Sequence, residues 1–321
     1  MSVRLGILST ARINRLVLAG ARASDRVEPA AVASRDQARA EAYASEHGIA
    51  RAYGSYEELL ADPAVDAVYN PLPNSLHVEW SIRALEAGKH VLCEKPLSRR
   101  PEDVERAFDV AEREGLILTE AFMYRHNPQT ARLRELVEGG AVGELRVVRT
   151  AFSFTVTDDA NIRLAADLDG GALMDVGCYC LSGSRLLAGE PLRVFGTSVE
   201  EAGVDTGFAA TMSFHGGVVG QFDCGFRLPM RDELEVVGTE GSIFLDDPWH
   251  CRRPVIEVRR DGGVEEIALE PVDSYRLELE NLADAIRGEA EPLLGREDAL
   301  GQARGIEALY RSAATGEAVT L

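Results

Sequence analysis

Cysteine is scarce, lysine nearly absent and long apolar runs missing. The chain of 321 residues has five cysteines, Cys93, Cys178, Cys180, Cys224 and Cys251. The number is odd and no two have Cys-x-x-Cys spacing, so neither a disulfide framework nor a zinc site is indicated. Free thiols fit a reducing compartment. No apolar stretch approaches the roughly 18–20 residues a membrane helix requires. The opening run, Met1 to Ser9, lacks the basic and apolar regions of a secretory signal. A cytoplasmic location is the expectation. Bases are also in deficit, 34 Lys and Arg against 53 Asp and Glu, a net charge of −19. Such a field repels phosphate backbones and anionic lipid, which excludes general nucleic-acid and membrane-surface binding.

The length corresponds to about two domains at roughly 100–200 residues each. Charge is uneven along the chain. Residues 1–51 carry eight Arg and five acids, a net of +3, which leaves −22 for the remainder. A positive island in an acidic protein points to a local anion site. The basic residues are 32 Arg and two Lys, Lys89 and Lys95. Arg does not lose its proton in a protein and Lys can, so a surviving Lys is a candidate for chemistry.

Up to about residue 122, short apolar runs alternate with helical patterns. Strands are read at Val3–Leu8, Val27–Ser34, Asp66–Asn70, His90–Cys93 and Leu116–Glu120. Helices are read at Thr10–Ala23, Asp36–His47, Tyr56–Ala61, Asn74–Ala87 and Pro101–Glu114. This alternation predicts a parallel sheet with helices on both faces. Beyond it, strand-like runs dominate (144–156, 193–199, 209–214, 218–224, 233–237 and 256–259), with helices at 129–138, 172–187, 275–287 and 297–314. The expectation is an α/β chain: a doubly wound nucleotide-binding domain over residues 1–122, then an α+β domain over 123–321. The latter is built on a mostly antiparallel sheet, and its C-terminal helix is free to pack back on the first domain.

After the first strand comes Ser9-Thr10-Ala11-Arg12-Ile13-Asn14. Ser9, Ala11 and Asn14 occupy the places of a Gly-x-Gly-x-x-Gly/Ala fingerprint. The physical demand there is for small residues, so that backbone amides at a helix start can approach a pyrophosphate. The second strand ends in Ser34-Arg35-Asp36, with Arg39 one helical turn on. An NAD site would place an acid at position 34 to accept from ribose hydroxyls. Ser34 instead can donate to a phosphate, and Arg35 and Arg39 can pair with one. NADP(H) is therefore predicted over NAD(H), with Arg12 adding to the cluster and Asp36 able to neutralise part of it.

The segment Val91-Leu-Cys-Glu94-Lys95-Pro96 resembles the Glu-Lys-Pro motif of the Gfo/Idh/MocA oxidoreductases. Tyr69-Asn70-Pro71-Leu72-Pro73-Asn74-Ser-Leu-His77 is similar to that family's nicotinamide-side loop. Gly170-Gly171-Ala-Leu-Met-Asp175-Val-Gly177-Cys-Tyr179 resembles its catalytic helix, and Val237-Gly238-Thr239-Glu240-Gly241-Ser242 its sheet turn. Ser9 and Tyr179 make the chain similar to the dimeric dihydrodiol dehydrogenases and NADP-linked xylose dehydrogenases within the family.

The resemblance implies a Rossmann domain, an open-faced C-terminal sheet with the active site between the two, and a cis Lys95–Pro96 bond. It also implies cofactor contacts from Pro71, Leu72, Asn74, His77, Glu94, Lys95 and Pro96, and at least a homodimer, with a homotetramer as the larger form. The implied catalytic residues are Lys95, Asp175 and Tyr179. Their chemistry is coherent. Hydride removal from an alcohol requires the hydroxyl proton to leave. A phenol has a pKa of about 10, and a nearby ammonium favours its ionised form. Whether Tyr179 or Lys95 carries the proton stays open. Phe122, Tyr124, Phe154 and Arg163 are candidate substrate contacts, and Trp249 and His250 are placed in a loop near the opening. The expected substrate is a sugar or cyclic diol, with a D-xylose-type aldose oxidised at C1 foremost. A nucleotide-sugar 3-keto reductase and a non-catalytic NADP-responsive regulator are the alternatives. No metal site is expected.

Overall fold

The computed structural model describes residues 2–321. Two compact units divide the chain, Met1–Met123 with Asp273–Leu300, and Tyr124–Val272 with Gly301–Leu321.

In the first unit the elements run β1 (Val3–Leu8), α1 (Asn14–Arg22), β2 (Val27–Ala33), α2 (Gln37–His47), β3 (Arg51–Tyr53), α3 (Tyr56–Leu60), β4 (Ala67–Asn70), α4 (His77–Glu86), β5 (His90–Glu94), α5 (Pro101–Glu114) and β6 (Leu118–Ala121). The strands lie in the order β3-β2-β1-β4-β5-β6 and all pair in parallel. Chain direction across the sheet reverses between β1 and β4. In such sheets the crevice for a ligand opens there, at the carboxyl ends of the strands. The loops after β1, β4 and β5, which hold Ser9, Asn70–Asn74 and Lys95, share that edge.

Local chemistry sets the helix starts. Asp36 caps α2 by accepting the Arg39 N–H at 2.7 Å. Ser55 caps α3 by accepting the Glu58 N–H at 3.2 Å, and Glu58 reaches back to the Gly54 N–H at 3.1 Å. The core gathers Leu5, Ile7, Val17, Leu18, Val32, Tyr69 and Leu92 with Leu279, Leu282 and Ala283. Those last three belong to α8 (Ser274–Ile286), whose backbone passes so close to Gly20 that a Cβ there would sit 2.7 Å from Arg276 N. This packing groups α8 with the first unit, although it follows the second sheet in the chain.

The second unit contains α6 (Pro128–Glu138), β7 (Leu145–Thr155), α7 (Cys178–Ala188), β8 (Arg193–Glu201), β9 (Val204–Ser213), β10 (Val219–Gly225), β11 (Arg227–Gly238), β12 (Ser242–Asp246), β13 (Val255–Arg260) and β14 (Gly263–Ala268). The last elements are α9 (Arg296–Thr315), which runs from one unit into the other, and β15 (Val319–Thr320). The nine strands lie in the order β14-β13-β12-β11-β7-β10-β9-β8-β15. Every pairing is antiparallel except β7 with β10. One face, with Val148, Thr150 and Phe152, is buried under α7. The other carries Arg149, Gln221, Asp223, Glu233, Glu235 and Phe244 around a hollow of about 410 Å³. The strand β11 is longer than the run read at 233–237, because Pro229 sits where the β7–β11 register shifts between Arg227 and Arg231. A proline donates no ladder bond and is tolerated at such an irregularity. Among the described residues no helix is long and apolar enough to cross a membrane.

Candidate active site

The loop after β1 meets the demands of a dinucleotide cradle without glycine. Ser9 has φ +79°, the left-handed region that a glycine normally fills at this fingerprint position. Asn14, fully buried, stabilises that turn by donating from Nδ2 to the Ser9 carbonyl at 2.9 Å. Ser9 Oγ is itself buried and has no partner. The N–H groups of Thr10 to Ile13 make no backbone hydrogen bond among the described residues. An orphaned hydroxyl and a row of open amides at the start of α1 fit a pyrophosphate.

The basic cluster lies beside this loop. Arg39 Nε donates to Thr10 Oγ1 at 2.8 Å, which ties the end of β2 to the end of β1. Burial pushes the Tyr56 phenol up, and the charges of Arg35 and Arg39 oppose that shift, so both guanidinium groups act on one ring. Asp36 spends its carboxylate on the α2 cap. Ser34 is buried, and Arg35 is exposed. These residues fit a cofactor bearing a phosphate at this end.

The Lys95 segment is braced on both sides. Tyr69, fully buried, donates to Glu94 Oε1 at 2.5 Å. Leu97 N donates to Glu120 Oε1 at 2.7 Å. The Lys95–Pro96 peptide is cis. His77, an expected cofactor contact, is held on both sides by backbone carbonyls. Its side chain is 1% exposed, and its ring nitrogens lie 2.7 Å from the Leu72 carbonyl and 2.9 Å from the Pro96 carbonyl. Burial lowers its pKa to about 4, against those two acceptors. His77 thus joins the loop after β4 to the loop after β5. The buried Glu278 of α8 is pushed well up by burial and then by the Glu94 charge.

In the second unit, Asp175 lies in a π-helical turn, Leu173–Gly177, that leads directly into α7. Such turns recur at functional sites because they displace side chains from the α-helical ladder. Asp175 Oδ2 accepts from Arg163 Nε at 2.6 Å, and Arg163 stands over the Phe154 ring at 5.7 Å. Three residues named separately from sequence therefore meet, and Asp175 has a cationic partner within its own unit. No spacing rule announced this pair across twelve residues.

The start of this helix depends on Gly171, whose φ is +126°. A Cβ there would fall 2.2 Å from Asp205 Oδ1, while Asp205 Oδ2 accepts the Leu173 N–H at 2.7 Å. Gly171→Ala should therefore cost about 3 kcal/mol through combined strain and overlap. Thermal unfolding of the variant checks this, and a midpoint equal to that of the parent would remove the argument.

Tyr179, in the first turn of α7, is 6% exposed. Its ring centroid lies 5.4 Å from Phe152, 5.8 Å from Tyr124 and 6.0 Å from Trp249. Phe122 and Tyr124, read as substrate contacts, are buried, and the Tyr124 hydroxyl is engaged with Ser182 Oγ at 2.7 Å. Trp249, placed from sequence at an opening, is 0% exposed. Phe152, two residues before Phe154 on β7, carries no sequence signal that ties it to Tyr179.

A parallel sheet in this strand order, a small-residue cradle beside a basic cluster, and a large antiparallel sheet bearing an Asp–Tyr helix define a two-unit nucleotide-dependent oxidoreductase. The chain belongs to the GFO/IDH/MocA family. Residues 3–122 match "Oxidoreductase family, NAD-binding Rossmann fold", and residues 130–244 match "GFO/IDH/MocA C-terminal domain". It is 42% identical to a D-xylose 1-dehydrogenase (NADP(+)) 2 of Haloferax volcanii, covering 98% of this chain and 99% of that protein. It is 34% identical to the trans-1,2-dihydrobenzene-1,2-diol dehydrogenase of Bos taurus, covering 88% and 84%. Among solved structures, KijD10, a 3-ketoreductase from Actinomadura kijaniata in complex with NADP and TDP-benzene, superposes with a TM-score of 0.93 at 32% identity, covering 97% of this chain and 98% of that one.

Proposed function

We propose that this protein is an NADP(H)-dependent sugar dehydrogenase that oxidises a D-xylose-type aldose at C1 to the lactone. The observation that carries the reading is the end of β2. A serine and two arginines stand where an NAD site needs an acid, and Asp36 is committed to its helix cap. The likeness to an NADP-linked D-xylose dehydrogenase over nearly the whole chain supports the substrate class.

Ser9, Thr10, Ala11, Arg12 and Ile13 would hold the pyrophosphate, and Ser34, Arg35 and Arg39 the ribose phosphate. Pro71, Leu72, Asn74, Glu94, Lys95 and Pro96 would border the nicotinamide half. The cofactor, when bound, supplies the acceptor for the hydride that leaves C1 with its electron pair. The protein supplies the proton chemistry. Tyr179 takes the hydroxyl proton as the C=O bond forms, and Lys95 supplies the positive charge that favours the phenolate. Asp175, held by Arg163, orients the sugar hydroxyl, with Arg163 and Phe154 at the substrate side. The outer face of the nine-stranded sheet is assigned to a second copy of the chain, giving at least a homodimer of an intracellular enzyme.

Purified protein with NADP⁺ and an aldose panel should produce NADPH absorbance with D-xylose-type sugars, and with NAD⁺ much less. The likeness to a 3-ketoreductase favours a second reading, reduction of a nucleotide-linked keto-sugar. NADPH oxidation by such a substrate, with aldoses inert, would replace the first reading with the second.

A further inference from the structure

Asp232, Asp247 and His250 form a cluster whose ligand-type atoms all lie within 4.8 Å of one another. Protein donors already fill its carboxylates. Asp232 Oδ1 accepts the Trp249 N–H at 3.1 Å, and Asp232 Oδ2 accepts His250 Nδ1–H at 2.5 Å. Asp247 Oδ2 accepts the N–H groups of Arg252 at 2.6 Å and Arg253 at 3.1 Å, and Asp247 Oδ1 accepts Arg252 Nη2 at 3.1 Å. His250 Nδ1 also lies 3.4 Å from Asp247 Oδ1. The cation this pair of carboxylates holds is the imidazolium itself.

The cluster anchors two of the rings around Tyr179. The Trp249 indole donates from Nε1 to the Ala151 carbonyl at 3.1 Å, and its centroid is 6.0 Å from that of Tyr179. On the far side, a Cβ on Gly183 would lie 2.7 Å from the indole, so the ring fills its slot against α7. The His250 ring meets Phe152 edge-on at 5.4 Å, and Phe152 meets Tyr179 in the same manner at 5.4 Å.

We propose that His250, clamped between Asp232 and Asp247, is a positioning residue for Tyr179, fixing the Trp249 and Phe152 rings that hold the phenol in place. The inference rests on the reading of Tyr179 as the group that takes the substrate proton. The charged groups facing His250 are Asp232 of β11 and, from the loop after β12, Asp247 and Arg252, while Phe152 of β7 adds none. Burial opposes protonation of His250, but the bonds to Asp232 and Asp247 outweigh it and raise its pKa to about 9. The sign follows. A histidine whose folded pKa lies above its ordinary value of about 6.5 contributes fully below that value. The contribution is lost as pH rises through about 9, when two carboxylates face each other with the imidazolium gone.

Tryptophan emission reads the clamp apart from turnover. The chain has two tryptophans, so a Trp80→Phe background, which keeps an aromatic ring against Tyr56, leaves Trp249 alone. Emission and kcat should stay level around neutral pH, then shift to the red and fall together with a midpoint near 9, the pKa of His250. His250→Gln should lower kcat at neutral pH by about ten-fold with KM for NADP⁺ within about two-fold, and abolish the emission transition. Asp232→Asn keeps an acceptor for the Trp249 N–H and should move both midpoints to lower pH, which keeps the test alive if the His250 variant does not fold. Parent-like kcat and emission at every pH in His250→Gln, or unmoved midpoints in Asp232→Asn, would overturn the proposal. Tyr179→Phe that still turns over, with the emission transition intact, overturns the proton role and leaves the clamp standing.

Discussion

Lys95→Met is expected to lower kcat with NADP⁺ and D-xylose by about 10³-fold, within the roughly 10²–10⁴ range for loss of an acid–base group. NADP⁺ affinity should change by no more than a few-fold, because the cradle after β1 and the arginines after β2 do not depend on this side chain. The segment around it should persist, since Tyr69, His77 and Glu120 hold Glu94, Pro96 and Leu97 independently of the ammonium. Tyr179→Phe should lose a similar factor, as it deletes one oxygen atom and preserves the ring contacts with Phe152, Tyr124 and Trp249. Lys95→Arg separates the two schemes. An arginine keeps a positive charge but does not release a proton. Partial activity in that variant assigns proton transfer to Tyr179, whereas a loss equal to that of Lys95→Met assigns it to the lysine. Steady-state and single-turnover kinetics make the measurement. Full activity in Lys95→Met would withdraw the assigned role.

Arg35→Ala should raise the Kd for NADP⁺ by about 10- to 100-fold and leave that for NAD⁺ unchanged. A hydrogen bond to a charged group is worth about 1.5–3 kcal/mol, and each 1.4 kcal/mol is ten-fold in affinity. Arg39→Ala should lose binding to both nucleotides, because that residue also ties the loop after β1 through Thr10. Ser34→Asp should reverse the preference, since a carboxylate there repels a phosphate and accepts from ribose hydroxyls. Cofactor titrations followed by fluorescence report all three. Loss of NADP⁺ affinity should be weaker in high salt, where the parent's own phosphate pairing is screened. Equal binding of both nucleotides to Arg35→Ala and parent would discard the clamp.

Much of the first unit was readable from the chain. Its strands are short apolar runs, and the stops at Gly48 and Gly115 are the left-handed caps their positions imply. The exceptions are informative. The strand β3 has three residues and no period to detect. On the exposed edge β14, most residues are solvated and adjacent Glu265 and Glu266 interrupt the apolar alternation by which strands are recognised. The first half of β11 was hidden by Pro229, and the π-helical turn at Asp175 has no local signal apart from the helix that contains it.

The chain by itself determined the alternation of strand and helix, the small-residue loop after β1, the basic end of β2 and the rarity of lysine that singles out Lys95. These follow from composition and spacing over a few residues, where propensity, capping and charge act locally. Only the tertiary structure decided that Arg163 pairs with Asp175, that His77 braces two loops and that Trp249 is interior. It also decided that His250 lies between two carboxylates. Each of those outcomes depends on which buried polar group reaches which partner across the sheet, and that choice is made by packing and desolvation over long sequence separations.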